Sequence, residues 1–432
     1  MQLIYFTERP YRGLAEEDVF ANGYWYGISN GLFDPALAHA DYNYYLDELT
    51  YAEELGFDGL ALNEHHGNPF CMGGIVDVEA AILARITKKA RIVLIGNSLA
   101  NRHPLRLAEE LATIDLISGG RLVTGWVRGA GFNQFFNSLN PAYNREYFEE
   151  AHDFIIQAWT RPGPWRYEGK HFHYRHVNPW TLPLQKPHPP FWIPGVVSPD
   201  TIIWAAQHGY PYLSLGATPS ATCAMWDLYA DEAARCGRQA GSENFGCLLQ
   251  TVVADTDDDA HEIGKSFYFG GGHAALASPP AQLPAGFNSP SAIKRLAKRP
   301  GRSWYEVADD PPDPGFSRAR RRAMDNYAAA EGNQHMMLGT PDTVIERLTA
   351  FMEVLRPGTI VFSAPQGNVS NDVRQKSMRM LAEHVLPAIR AYGASIGLVD
   401  AFERAPGSVP LAAGAQRHEV VNRDRLVAHN YA

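Results

Sequence analysis

Several side chains that can do chemistry stand directly after short apolar segments of this 432-residue chain. The segment around residue 60 is followed by Glu64, His65 and His66, and the segment around residue 125 is followed by Arg128. Neighbouring side chains of an extended chain point to opposite sides, so His65 and His66 would chelate one metal ion poorly. One of them can instead act as a general acid or base near neutral pH. Two structural histidines that bond to loop carbonyls are the alternative.

Two further features suit the binding of an anion. Arg128 precedes Gly129, and flexible backbone beside an arginine suits a bidentate grip on phosphate. A salt bridge across the end of a barrel explains Arg128 equally well. Ser198 and Pro199 begin a predicted helix that includes Thr201, and free N–H groups at a helix N-terminus bind anions. A plain N-cap is the alternative there.

Gly96 and Asn97 follow a β-rich segment at 91–95. The amide of Asn97 could contact a planar heterocycle if that segment ends at a binding site. Asparagine is also a common turn residue, so this pattern leaves both interpretations open.

These residues need a scaffold, and short apolar segments alternate along the chain with longer helical patterns. We predict eight strands, each with a helix after it. They cover residues 3–6, 57–62, 91–95, 121–127, 190–194, 212–215, 246–254 and 359–362. Such alternation is typical of βα units, and eight units favour an α/β fold of the closed (β/α)8 TIM-barrel type. Its active site lies at the carboxyl ends of the strands, where the candidate residues stand.

One barrel domain is expected over residues 1–390, and residues 391–432 are expected to form a C-terminal extension. Residues 268–335 interrupt the pattern after the seventh strand with glycines, prolines and basic clusters. A segment of this length is usually a functional lid or partly disordered. A solvated surface insertion is the alternative.

Composition indicates a cytoplasmic enzyme and disfavours other classes. The formal net charge is −9, and nucleic acid is an unsuitable partner because phosphate binding needs a basic face. The chain shows no run of 18 apolar residues and no signal-peptide pattern, so we expect no membrane association. The four cysteines form no CxxC pair, which is typical of a reduced protein without a zinc site or disulfide framework.

Together these segments resemble the bacterial luciferase-like flavin-dependent monooxygenase family, from residue 1 to about 390. Five ordered motifs carry the resemblance. They are GFDGLALNEHH, RIVLIGNSLANRHPLRLAEELATIDLISGGRLVTGWVRGAG, PPFWIPGVVSPDTIIWAAQHG, MMLGTPDTVIERL and LAEHVLPAIR. Several long motifs in matching order are a specific signal, unlike a single glycine-rich loop.

The resemblance implies that His65 is the catalytic acid or base beside a flavin, and that His66 supports it. It also implies cofactor contacts from Gly96, Asn97, Val127, Arg128, Ser198 and Thr201. Arg128, Ser198 and Thr201 would bind the FMN phosphate. Gly96 and Asn97 would lie along the isoalloxazine, at a peptide that is often strained in this family. Val127 would lie near the oxygen-reactive carbon of the flavin.

The implied activity is that of a two-component monooxygenase. A separate NAD(P)H:flavin reductase would supply reduced FMN, and O2 would be the co-substrate of a reaction through a C4a-peroxyflavin. Residues 268–335 would then be the mobile lid, and the chain would form a homodimer. Hydroxylation, Baeyer–Villiger insertion and oxidative cleavage all remain open.

Aromatic residues concentrate in three loops expected near the active site, at 20–33, 132–143 and 165–180. Such a lining favours an apolar or aromatic organic substrate. Aromatic packing that only holds long loops in place is the alternative.

Two departures separate the chain from luciferase itself, which has a cysteine at the position of Val127 and a carboxylate at that of Val197. Light emission is therefore not implied. A deazaflavin (F420)-dependent oxidoreductase and a non-catalytic flavin-binding protein are alternatives, because a fold alone does not fix a function. A metal hydrolase is a weaker alternative, because a spaced set of His and Asp ligands is missing from the sequence.

Overall fold

The computed structural model describes residues 1–21, 28–129, 131–196, 198–215, 219–267 and 336–402. Its strands, in chain order, are β1 (Gln2–Phe6), β2 (Gly59–Leu62), β3 (Arg91–Ser98), β4 (Leu122–Val127), β5 (Trp165–Glu168), β6 (His173–Val177), β7 (Phe191–Gly195), β8 (Tyr212–Leu215), β9 (Phe245–Val253), β10 (Met336–Gly339) and β11 (Thr359–Ser363). Eight parallel strands form a closed ring in the order β1, β2, β3, β4, β7, β8, β9, β11 and back to β1. The predicted (β/α)8 barrel is confirmed.

The helices of the described residues surround this ring. They are α1 (Glu16–Ala21), α2 (Pro35–Glu54), α3 (Val76–Ile86), α4 (Pro104–Ser118), α5 (Gly131–Phe136), α6 (Asn144–Thr160), α7 (Pro199–His208), α8 (Pro219–Arg235), α9 (Asp257–Gly264), α10 (Pro341–Leu355), α11 (Asn371–Met380) and α12 (Leu386–Ser395). Proline occupies the first turn of α2, α4, α7 and α10, where its missing N–H costs nothing. None of these helices is long and apolar enough to cross a membrane.

Alternate residues of each ring strand face opposite sides. The side chains that fill the inside of the ring form one apolar cluster: Ile4, Phe6, Ala61, Val93, Ile95, Val123, Trp192, Leu213 and Val361. The intervening residues, such as Leu3 and Tyr5 on β1, pack outward against the helices. This alternation gives the direction of the side chains that follow the strands.

A buried ion pair lies behind β1. The Arg374 guanidinium on α11 donates to the Glu48 carboxylate on α2 at 2.9 and 2.8 Å, and both residues are fully buried. Arg374 also donates to the Thr7 hydroxyl at 3.0 Å and to the Pro365 carbonyl. The chain that leaves β1 and the chain that leaves β11 are thereby fixed to each other.

The structure adds elements that the sequence pattern did not predict. Strands β5 and β6 form an antiparallel hairpin outside the ring, and β10 pairs with the end of β9. Strand β3 continues to Ser98, beyond the predicted end at residue 95, and the Ile95–Gly96 peptide within it is cis. Gly96 and Asn97 therefore belong to the strand itself.

The predicted boundary at residue 390 stays a prediction. Helix α12 continues to Ser395, and the chain beyond it packs against the ring. The Phe402 ring lies 6.0 Å from Trp192 and beneath the Arg91 guanidinium, at 3.4 Å. The predicted lid at 268–335 and residues 403–432 lie outside the described residues.

Candidate active site

The adjacent histidines separate after β2. Ala61 faces the inside of the ring, so continued alternation places Asn63 and His65 on the inner side and Glu64 and His66 on the outer side. A contact between the two outer residues is consistent with this placement, because His66 Nε2 lies 3.1 Å from a Glu64 carboxylate oxygen. The half-buried His65 ring packs on Phe70, with 5.6 Å between ring centroids. His65 thus stands at the mouth, by which we mean the end of the ring where the carboxyl ends of the strands meet.

Glu64 connects the outer histidine to a charged network. Arg102 Nη1 donates to the second Glu64 oxygen at 2.7 Å, and Arg102 Nη2 donates to Asp77. Asp77 in turn accepts a hydrogen bond from Asn97 Nδ2 at 3.1 Å. One guanidinium therefore links the residues that follow β2 to the end of β3.

The carboxylates of this network are buried, Arg102 is half-buried, and the ionisation of the carboxylates depends on Arg102. Burial raises the pKa of Asp77 above its usual value, while Arg102 opposes that rise. Burial alone would lower the pKa of Arg102, but Asp77 and Glu64 raise it above its ordinary value. The cation therefore stays charged and holds two buried carboxylates in place.

The Asn97 side chain points away from the interior of the ring. Asn97 pairs with Trp126 of β4, and Trp126 packs among the outer side chains. Because paired residues of adjacent parallel strands face the same side, the Asn97 amide meets Asp77 on the helix side. Any contact between residue 97 and a ligand in the mouth would come from its main chain. Gly96 leaves no room for a side chain, since a Cβ there would lie 2.3 Å from the Gly125 carbonyl oxygen.

Two arginines and a helix N-terminus meet where β4 and β7 end. Arg128 Nη1 donates to Asn144 Oδ1 at 3.3 Å, and Arg145 Nη2 donates to Thr201 Oγ1 at 3.4 Å. Ser198 is the N-cap of α7, yet its hydroxyl makes no capping hydrogen bond. Guanidinium groups beside a helix N-terminus attract anions. The structure thus brings together the predicted residues Arg128, Ser198 and Thr201.

Arg145 and Asn144 are the residues of this candidate anion site that sequence reasoning missed. Both stand in the first turn of α6. The helix dipole disfavours a cation at that end, and Arg145 is offset there by Glu149 one turn on, at 3.5 Å. An arginine in a first turn is the signal that could have drawn attention to this position. Among the described residues, the buried Asn144 Nδ2 has no hydrogen-bond partner. A ligand with acceptor oxygens would supply one.

Val127 completes the set of predicted contacts. It ends β4, is half-buried and continues the inward alternation of Val123 and Gly125. Val197 lies outside the described residues. Within the described ranges, no group of three or more His, Cys, Asp or Glu side chains could hold a metal ion.

Comparisons with known proteins identify the family of the chain. The model of a family described as luciferase-like monooxygenase matches residues 25–356. The alkanal monooxygenase alpha chain of Photobacterium leiognathi is 24% identical over 78% of this chain and 91% of its own. Other curated relatives are 25% or 30% identical, and the aligned region spans less than two thirds of their length, at 60% or 65%.

Solved structures share the fold. The oxygenating constituent of 3,6-diketocamphane monooxygenase of Pseudomonas putida, a type II Baeyer–Villiger monooxygenase in complex with FMN, has a TM-score of 0.64 at 17% identity, over 89% of this chain and 98% of its own. An F420-dependent secondary alcohol dehydrogenase has a TM-score of 0.60 at 16% identity, over 90% of this chain and 99% of its own. At these identities the likeness is one of fold.

The Arg102 network makes a testable prediction about stability. Replacing Arg102 with Met should lower the free energy of unfolding by about 3–5 kcal/mol near pH 7, because two buried carboxylates lose their cation. Without Arg102 the pKa of Asp77 should rise further, so the folded variant binds protons that the unfolded chain releases. The deficit relative to wild type should therefore grow as pH rises from about 5 to about 7. Urea unfolding at both pH values measures it.

The matched control is Arg106→Met on the nearby α4, whose side chain is 71% exposed and pairs with Glu110. Exposed pairs contribute about 0–1 kcal/mol, so this variant should stay near wild type at both pH values. A deficit of Arg102→Met that does not change with pH would contradict the assignment of buried, Arg102-dependent carboxylates.

Proposed function

This chain belongs to the luciferase-like monooxygenase family, and we propose that it uses reduced FMN and O2 to oxygenate an apolar or aromatic organic substrate. The anion site formed by Arg128, Arg145 and the N-terminus of α7 is the observation that carries this proposal. A flavin mononucleotide ends in a phosphate, which such a site binds through charge-assisted hydrogen bonds. In barrels of this type, phosphate sites lie at the carboxyl ends of the strands.

The residues present fit the cofactor. Arg128 and Arg145 would hold the phosphate, together with the hydroxyls of Ser198 and Thr201. The unpartnered amide of Asn144 would donate a further hydrogen bond to it. The main chain at Gly96 and Asn97, and the Val127 side chain, would lie along the ring system, as the family resemblance implies.

When bound, reduced FMN supplies the electrons that activate O2. His65 would give or take a proton at its imidazole, on the inner side of the mouth. Packing on Phe70 limits the orientations of that ring. His66 would act indirectly, because its contact with Glu64, which also accepts a hydrogen bond from Arg102, fixes the segment that carries His65.

Other parts of the proposal rest on the family resemblance. A separate NAD(P)H:flavin reductase would deliver the reduced flavin, and the reaction would take place in the cytoplasm. The four cysteines are free, and three of them are buried, in keeping with a reducing compartment. A deazaflavin-dependent reductase or dehydrogenase is the second candidate, since an F420-dependent enzyme shares the fold.

We also propose a homodimer in which α3 packs against a second copy. Four apolar residues at helical spacing are exposed along this helix and at the residue before it: Ile75 at 64%, Val78 at 55%, Ile82 at 39% and Ile86 at 44%. They form one stripe along the helix. A self-complementary apolar stripe suits a two-fold interface.

The phosphate contact can be tested with two flavins. Replacing Arg145 with Ala should weaken the binding of reduced FMN about 10- to 100-fold, the loss expected for a hydrogen bond to a charged group. Binding of reduced riboflavin, which has no phosphate, should hardly change. Anaerobic titration of flavin fluorescence measures both dissociation constants.

The control for this titration is Arg166→Ala, an arginine of β5 whose side chain is 66% exposed. Equal weakening for FMN and riboflavin would show that Arg145 does not contact the phosphate. Failure of wild type to bind either flavin would remove the FMN proposal and favour the deazaflavin enzyme. Substrate oxidation without O2 consumption would do the same.

His65 makes a separate prediction. Replacing His65 with Ala should lower turnover about 10²–10⁴-fold, the contribution of general acid–base catalysis, because the proton-transferring group is lost. The dissociation constant of FMN should stay within a few-fold of wild type. Incorporation of ¹⁸O from labelled O2 into a panel of aromatic compounds measures turnover. His66→Ala should lose less, and unchanged turnover of His65→Ala would exclude His65 from the reaction.

The dimer makes the last prediction from this proposal. Replacing Ile82 with Asp should convert the dimer to a monomer, because the interface would bury an unpaired charge. Light scattering coupled to size-exclusion chromatography gives the mass. Trp180→Asp alters an apolar side chain that is 91% exposed elsewhere and should leave the mass unchanged. A monomeric wild type would overturn the dimer without affecting the cofactor proposal.

A further inference from the structure

The half of the mouth opposite the anion site is also polar. Ring order places β1 four strands away from β7 in either direction, between β11 and β2. Each of these three strands carries polar side chains at or just beyond its carboxyl end. They are Glu8 after β1, Asn63 after β2, and Ser363 and Gln366 at and after β11. We call these four residues the β11–β1–β2 wall.

Alternation aims three residues of this wall, Glu8, Asn63 and Ser363, at the interior, and Gln366 follows Ser363 by three residues. Ile4 and Phe6 of β1 belong to the inner cluster, so Glu8 faces inward, whereas Thr7 faces outward and accepts from Arg374. Ser363 continues the inward alternation of Val361 and pairs with Phe6. Asn63 Nδ2 donates to a Glu8 carboxylate oxygen, which confirms that the ends of β1 and β2 face each other here.

Two residues of the wall have buried polar groups without a hydrogen-bond partner among the described residues. Ser363 and Gln366 are each 1% exposed. Among the described residues, the Ser363 hydroxyl and both polar atoms of the Gln366 side chain have no hydrogen-bond partner. Buried polar groups are nearly always paired, because an unmade bond is costly. Both side chains can donate and accept, and neither carries a charge.

Glu8 adds a carboxyl group whose pKa lies close to neutral pH. It is 5% exposed, and burial raises its pKa to about 7, against the opposing effects of the Asn63 bond and of Arg9. Arg9 supplies the opposing positive charge, and Arg9 is itself paired with Glu79 of α3. A protonated Glu8 donates a hydrogen bond, and an ionised Glu8 accepts one.

We propose that the β11–β1–β2 wall binds an uncharged oxygen function of the substrate, a carbonyl or a hydroxyl. The inference rests on the proposed function for the identity of the occupant, and it narrows the substrate class from any apolar or aromatic compound to one that bears such an oxygen. The wall is neutral apart from Glu8. An anionic substituent would meet the Glu8 carboxylate, and a plain hydrocarbon would leave Ser363 and Gln366 unpaired.

The test uses pairs of probes with nearly the same shape. Acetophenone and α-methylstyrene differ by a carbonyl, and p-cresol and p-xylene differ by a hydroxyl. Wild type should bind the oxygen-bearing member of at least one pair up to about tenfold more tightly, the range expected for a neutral hydrogen bond. Ligand-observed NMR on the full chain, with and without FMN, gives the dissociation constants.

The pH dependence identifies which oxygen function is bound. Protonated Glu8 donates to a carbonyl, so acetophenone should bind more tightly at about pH 6 than at about pH 8. Ionised Glu8 accepts from a phenol, so p-cresol should show the opposite trend. Glu8→Gln keeps an acceptor for Asn63 but does not titrate, so it should abolish either trend. Asp115→Asn, at a buried carboxylate of α4 that accepts from Gln185, should leave the trend unchanged.

A second variant and a second readout keep the inference separate from the proposed function. Ser363→Ala should reduce the preference for the oxygen-bearing probe while the FMN dissociation constant stays that of wild type. Equal binding of both members of each pair, including no binding of either, would overturn the inference, as would a preference that survives Ser363→Ala. Absence of FMN binding together with an intact preference for the oxygen-bearing probe would contradict the proposed cofactor but not the proposed role of the wall.

Discussion

Closure of the ring between β11 and β1 is the constraint on which the site depends. In a closed ring of parallel strands every strand ends at the same mouth, so residues far apart in sequence converge there. The first and last ring strands are separated by more than 350 residues of chain, and they pair from Gln2 to Phe6 and from Thr359 to Ser363. The buried Arg374–Glu48 pair behind them fixes the segments that leave both strands. A buried ion pair contributes little net stability, but removing one partner is strongly destabilising because it leaves the other charge buried and unpaired.

Short continuous apolar runs predicted the ring strands, because these strands are buried on both faces. The strand at Tyr212–Leu215 matches its predicted bounds, and others differ by a few residues. The hairpin of β5 and β6 was not predicted because it lies outside the ring. Only one residue of each of its strands is buried, so no apolar run marks it in the sequence. The extension of β3 to Ser98 was not predicted because the last residues of this strand are polar and meet their partners only in the folded chain.

Sequence position identified which residues stand at the mouth, but not where each side chain points. Asn97 shows the difference, because the irregular register between β3 and β4 turns its amide toward Asp77 and away from the interior. Arg145 was missed because its significance depends on the approach of α6 to the start of α7. Glu8 was missed because, in the sequence, a carboxylate two residues past a strand looks like an ordinary loop residue. Only the closed ring places it between polar residues of β11 and β2.

The charges of the site are distributed by position. Cationic groups lie at the ends of β4 and β7. Neutral polar groups and the Glu8 carboxyl lie at the ends of β11, β1 and β2. The Glu64–Arg102–Asp77 network lies on the helix side of the ring. Electrostatic coupling between the two halves is weakened by this separation. Residues of the β11–β1–β2 wall can therefore change without disturbing the anion site. Under the proposed function, substitutions in the wall would alter the substrate and leave the cofactor unchanged, since function resides in the site and not in the fold.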